Sequence, residues 1–313
     1  MYQRNLRLDQ VKLLLSFFVV ALHTKIFYDE NAAFSNFLVN YLFRIAVPIF
    51  FLINGYFLFI FLAKGGDFKK WFWRVMALYL VWTGIYSYYI VHDYGVAGSL
   101  KFVILGYWHL WYVLALGLGG TVIYFFRRIS QKYLLFTIVI LYLGGIFLQY
   151  AMFYRINPWP TIDPIIGTRF FIHRSFIFFG VPFIGIGYLI AKTKFVEHSK
   201  MRNVWMIFLL GLVILLAEYM LNVAHGLVAE SIDVLVFIPW IAIPIFCWAI
   251  QGSLHESKID ISGMASCIYF MHPFFIRILP ESSSWIIFIE ATLMSLACYP
   301  VLLRFNRRWP HLL

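Results

Sequence analysis

Two histidines stand in stretches apolar enough to be membrane helices, where a titratable side chain costs free energy and requires a reason. His23 lies in LDQVKLLLSFFVVALH. An imidazole with an ordinary pKa of about 6.5 accepts a proton at neutral pH, whereas a carboxylate or a lysine needs heavier tuning, so proton transfer is the chemistry to expect. A helical rise of about 1.5 Å per residue puts His23 about 16 Å beyond Lys12, near mid-bilayer if Lys12 marks the boundary. The structural alternative is a neutral imidazole bonding to a neighbouring helix. His272, in CIYFMHPF, reaches a similar depth counted from Gly263, so the two histidines are expected in one layer. Pro273 follows at once and frees backbone carbonyls, which favours a structural role at a kink for His272.

Around these stand charges that could grip substrate. Arg44 opens FRIAVPIFFLINGYFL four residues before Pro48; it either binds a substrate oxygen or snorkels to the interface. Asn54 and Gly55 form a polar, small-residue notch for a ligand or for close packing. Glu218, well inside an apolar stretch, must be protonated, paired or facing water; a histidine or Arg174 is a candidate partner, and the sequence does not select one. Lys70 and Arg74 share a helix face and, with Lys12, could hold a phosphorylated donor, although retention of positive charge on the cytoplasmic side explains them as well. The segment 154–174, YRINPWPTIDPIIGTRFFIHR, carries three prolines with Trp159, Asp163 and Arg174. It reads as a lid or an acceptor-binding loop, or as part of the aromatic belt.

The elements that must position these residues follow from composition. Of 313 residues, 63% are hydrophobic and 12% charged, too little polar surface to clothe a water-soluble globule. The expected fold is an all-α, polytopic membrane bundle forming a single domain over 1–313, with no soluble domain and no repeat. Ten spans are placed at 11–28, 41–62, 71–91, 108–126, 133–152, 175–191, 204–223, 233–250, 263–279 and 285–303, the first being a retained helix rather than a signal. With the N-terminus inside, one face takes eighteen of the 25 lysines and arginines, which puts both termini in the cytoplasm of a multi-pass inner-membrane protein. The net charge of +11 thus needs no nucleic-acid partner. Cys247, Cys267 and Cys298 show no metal-ligand spacing, and no metal site is expected.

Taken in order, these segments resemble the acyltransferase-3 family, membrane O-acyltransferases acting on bacterial surface carbohydrates. Its first helix carries an acidic residue, an Arg, ten residues and a His; here stand Asp9, Lys12, ten residues and His23. Arg44 with VPIFFLINGYF is similar to its Arg-x-x-Val-Pro-x-Phe-Phe-x-x-Ser-Gly-Tyr stretch, with Asn54 in the Ser place. FKKWFWRVMALYLVW approximates its basic third helix, without the proline. WHLWYVLALG, HRSFIFFGVPFIGIGYLIA and CIYFMHPF resemble three later segments.

The resemblance implies acyl transfer, acetyl being the expected group, from acyl-CoA to a hydroxyl of a surface or lipid-linked polysaccharide. His23 is then the expected base, with His109 or Asn54 steadying the oxyanion. Lys12, Lys70 and Arg74 would bind the donor, Lys12 without the bidentate fork of the family's Arg. Arg44, Arg174, Glu218, Trp111 and His272 would bind the acceptor. Acetyl-CoA is a co-substrate and no cofactor is expected; the partners are donor, glycan acceptor and membrane lipid, and the oligomeric state is left open. An acyl-histidine intermediate is the alternative route. The rivals in other classes are a transporter or flippase for a sugar or lipid-linked glycan, and a non-catalytic scaffold.

Overall fold

The computed structural model describes residues 2–154, 172–227, 231–257, 259–308 and 312. Most of the proposed 154–174 loop, with Trp159 and Asp163, lies outside the described residues. The chain forms β1 (Tyr2–Asn5), α1 (Leu6–Thr24), α2 (Ala32–Asn40), α3 (Ala46–Ala63), α4 (Phe68–Leu105), α5 (Trp111–Phe126), α6 (Gln131–Phe153), α7 (Val181–Lys192), α8 (Phe195–His198), α9 (Met201–Ala224), α10 (Ile238–Ile250), β2 (Leu254–Ser257), α11 (Ile261–Ile278), α12 (Ser284–Ala297) and α13 (Tyr299–Arg308). It is a helical membrane bundle, but not purely α. β1 and β2 pair antiparallel, Tyr2 opposite Ser257 and Asn5 opposite Leu254. Alternation was too short in either strand to be read from the sequence.

The count of ten spans is not reached on length and composition. Ala32–Ala63, Phe68–Phe126, Gln131–Phe153, Met201–Ala224 and Ile261–Ile278 are long and apolar enough to cross a membrane, and Ser284–Ala297 with Tyr299–Arg308, bent by 40°, makes a possible sixth. Leu6–Thr24 is not among these segments and Phe68–Phe126 covers two of the expected spans; the rest of the shortfall has a physical cause. α7 has 12 residues and α10 has 13, so at the helical rise they extend only about 18–20 Å against a hydrocarbon core of about 30 Å. α10 starts at Ile238 rather than at 233, with Pro239 in its first turn. α1 starts at Leu6 because the Asn5 side chain caps the Leu8 N–H, and it ends at Lys25, whose φ is 49°. α4 runs past the expected boundary at 91 and turns at Gly95, where φ is 67° and ψ is 173°.

Packing follows side-chain size. Gly55 of α3 and Gly187 of α7 face each other's backbones, so a Cβ on either would run into the carbonyl of Ile184 or of Leu52. α9 shows the membrane pattern directly: Met206, Leu209, Val213, Leu216 and Met220 form an exposed apolar stripe, while Val204, Gly211, Leu215, Glu218 and Asn222 turn inward. Exposed apolar surface at helical spacing suits lipid as the solvent. At the β1 end, Arg4 pairs with Asp260, which also accepts from the Tyr299 hydroxyl at 2.9 Å and caps α11 through the Gly263 N–H at 3.1 Å. This ties the first strand to α11 and α13.

Candidate functional site

His23 lies in the last turn of α1, just before the left-handed Lys25 that stops the helix. Facing it is the one-turn segment Trp108–Leu110 between α4 and α5. Gly106, at φ 88°, makes this turn possible, because a Cβ there would strike the Trp111 backbone. Trp108 itself holds φ 44°, an uncommon value outside glycine. The turn stacks the Trp108 ring on His23, with centroids 5.6 Å apart, and buries His109.

α11 completes a layer of three imidazoles. The His272 ring centroid is 5.2 Å from that of His23 and 5.3 Å from that of His109. His272 bonds through Nδ1 to the Ile268 carbonyl at 3.0 Å. Its Nε2 and both His109 ring nitrogens are buried without a protein partner among the described residues. Buried polar atoms are normally satisfied, so these three nitrogens mark a place for water or a substrate group. Pro273 breaks the α11 ladder here, and the Tyr86 hydroxyl is inserted into the gap, donating to the Phe270 carbonyl at 2.7 Å and accepting from the Phe274 N–H at 3.2 Å.

A cavity of about 300 Å³ opens beside this layer, lined by His23, His109, Trp108, Trp111, Arg44, Arg174, Asp233 and Tyr269 among others. Arg44 pairs with Asp233 and also donates to Asn40 at 3.2 Å and Ser231 at 2.9 Å. The Arg174 guanidinium lies 3.4 Å from the other Asp233 oxygen and 5.1 Å from the centre of the Trp111 ring. Asp233 is held from behind, since the Gln149 side chain accepts from the N–H groups of Asp233 and Val234, each at 2.8 Å. Asp233 was not foreseen. The available signal was an acidic residue at the margin of an apolar stretch, SIDVLVFIPW.

Glu218 goes elsewhere, to neither a histidine nor Arg174. Its carboxylate accepts from the Tyr150 hydroxyl at 2.7 Å and from the N–H groups of Val236 and Phe237 at 3.0 and 3.1 Å, fixing the approach to α10. It lines neither this cavity nor the next.

The second cavity, about 290 Å³, is lined by Lys12, Asn54, Tyr112, Ser262, Ser266, Leu78, Phe270 and again Tyr269, with further apolar residues. Lys12 donates to Ser262 at 3.2 Å and lies 3.4 Å from Asp9. Asn54 donates to the Tyr112 hydroxyl at 2.8 Å and to the Phe50 carbonyl at 2.9 Å, so it shares a cavity with Lys12 and not with His23. Lys70 and Arg74 are exposed and belong to the lining of neither of these two cavities. They precede the wall residue Leu78 at spacings of eight and four, which puts them on its stripe of α4.

A family model for an acyltransferase domain matches residues 5–297. Among curated proteins, a serine/alanine racemase of Enterococcus gallinarum is 25% identical over 290 residues, 87% of this chain and 41% of that protein. An amino-acid racemase of Enterococcus faecalis is 24% identical over 313 residues, 92% of this chain and 43% of that protein. The chain therefore spans less than half the length of these curated relatives. No solved structure matches. With nearly the whole chain covered by the family model, the chain belongs to the acyltransferase-3 family.

Proposed function

We propose that the protein moves an acetyl group from cytoplasmic acetyl-CoA to a hydroxyl of a surface or lipid-linked polysaccharide, in the inner membrane with both termini cytoplasmic. The observation that carries this reading is the pair of adjoining cavities, one holding His23 and the other Lys12, whose linings share Tyr269. Donor and acceptor need not enter by one door. The acyl-CoA phosphates meet Lys70 and Arg74 outside and Lys12 within, as charge-assisted contacts, and the thioester extends toward Tyr269. The sugar is held among Arg44, Arg174, Asp233 and Trp111.

In this mechanism His23 takes the proton of the acceptor hydroxyl as its oxygen bonds to the thioester carbonyl carbon. The tetrahedral oxyanion collapses, the C–S bond breaks, and the CoA thiolate receives the proton from His23. His109, in the same cavity as His23, is better placed than Asn54 to steady the oxyanion. His272 orients the His23 ring across the 5.2 Å gap between their centroids.

The test is acetyl-CoA consumption by purified protein with and without a glycan extract. The reading expects release of CoA thiol that depends on the acceptor, matched by labelled acetate on the glycan. Movement of intact glycan across proteoliposomes with no thiol released would replace the enzyme by a carrier. Running the same assay with serine as acceptor tests the amino acid in one relative's name.

A further inference from the structure

We propose that Tyr269 is the partition between the donor and acceptor cavities, and that its ring keeps water on the acceptor side from the thioester until an acceptor displaces it. This rests on the acyltransferase reading for its chemistry but not for its geometry. Tyr269 belongs to the walls of both cavities and is 5% exposed. Its ring is 5.2 Å from the centroid of His109, which lines the His23 cavity, and 5.7 Å from that of Tyr112, which lines the Lys12 cavity. Its hydroxyl donates to the His109 carbonyl at 2.6 Å, a buried latch onto the strained Trp108–Leu110 turn.

Two features make this a movable wall rather than ordinary core. The backbone carbonyl of Tyr269 is the one that the missing N–H of Pro273 would have satisfied, so the helix is loosened at the residue that divides the cavities. One residue on, between Phe270 and Phe274, the ladder is bridged by the Tyr86 hydroxyl instead of closing directly. A single neutral hydrogen bond of this kind is readily exchanged for one to an incoming sugar hydroxyl.

With the ring in place, water in the acceptor cavity cannot reach the thioester carbonyl. With it gone, water attacks that carbon, the C–S bond breaks, and acetate and CoA thiol form with no acceptor consumed. Tyr269→Ala is therefore expected to raise acceptor-independent thiol release severalfold relative to acetyl transfer, whereas Tyr269→Phe keeps the ring and stays close to wild type in that ratio. A merely structural residue would lower both rates together.

The second measurement needs no catalysis. Ser266, in the Lys12 cavity, is replaced by Cys, and a membrane-impermeant methanethiosulfonate is added to one side of sealed proteoliposomes at a time. Labelling is read above the background of the three native cysteines in the Ser266 chain. With Tyr269 present, labelling is expected from one side only; with Tyr269→Ala, or Tyr269→Leu should Ala not fold, it is expected from both. Labelling from both sides with Tyr269 intact, or from one side with Ala and Leu alike, overturns the proposal. If labelling follows Tyr269 but no variant consumes acetyl-CoA, the partition stands and the acyltransferase reading falls.

Discussion

Removing Asp233 should be among the most damaging single changes to this protein. Arg44 is held with its side chain 10% exposed and Asp233 with 5%, so Asp233→Ala leaves a buried guanidinium with the neutral partners Asn40 and Ser231. Breaking a buried ion pair by deleting one partner costs about 3–5 kcal/mol, far above the roughly 0–1 kcal/mol of an exposed pair. Removing both charges costs less, because the buried guanidinium goes with its partner and only the more exposed Arg174 is left without Asp233. Equilibrium unfolding in mixed micelles, run as a cycle of wild type, Asp233→Ala, Arg44→Leu and the double variant, reads the coupling. The single variants should each lose several kcal/mol and the double variant should regain part of it. A loss under about 1 kcal/mol for Asp233→Ala, or an additive double variant, would refute the claim that this pair is buried and organises the cavity.

Gly187→Ala should destabilise the chain by about 1–3 kcal/mol in the same assay, since its Cβ meets the Leu52 backbone and the α3–α7 pair must part. Gly84→Ala in α4, with open space around the new Cβ, is the neutral control. Burial alone would raise the Asp260 carboxyl, but the Arg4 ion pair, the Gly263 N–H and the Tyr299 hydroxyl outweigh it and hold its pKa below the ordinary value. Its contribution is therefore present above the unfolded pKa of about 3.9 and lost as pH falls through the lower folded value. With both partners partly exposed this is on the order of 1 kcal/mol, so melts at pH 6 and pH 3 should differ more for wild type than for Asp260→Asn. Lys12→Ala should raise the KM for acetyl-CoA about tenfold or more, the worth of one charged hydrogen bond, and Lys12→Arg should restore most of it.

Much of this was legible because the membrane makes polar residues conspicuous. His23 and His272 were placed in one layer from helical rise alone, and their rings lie 5.2 Å apart. Arg44 and Arg174, far apart in sequence, meet on one carboxylate. That carboxylate was misjudged. Glu218 was the obvious candidate because it lies deep in an apolar helix, yet helix interiors also supply carboxylates that cap neighbouring backbone, as Glu218 does for Val236 and Phe237. Asp233 belongs to a non-helical stretch before α10, where no periodicity announces which way a side chain turns. Tyr269 was unreadable for another reason: an aromatic residue in an apolar helix is ordinary core until two cavities are seen to meet at it. Ten spans are not confirmed, in part because apolar runs such as 233–250 include non-helical backbone, and hydropathy does not distinguish the two.

The central claim is that His23 is the base of an acyl transfer. Labelled acetyl transfer from acetyl-CoA to the glycan acceptor, by wild type and His23→Ala at matched folded amounts, tests it most directly. Transfer by wild type that falls about 10²–10⁴-fold in the variant is the predicted result. Undiminished transfer by His23→Ala, or no acetyl-CoA consumed by folded wild type with its glycan present, would contradict it.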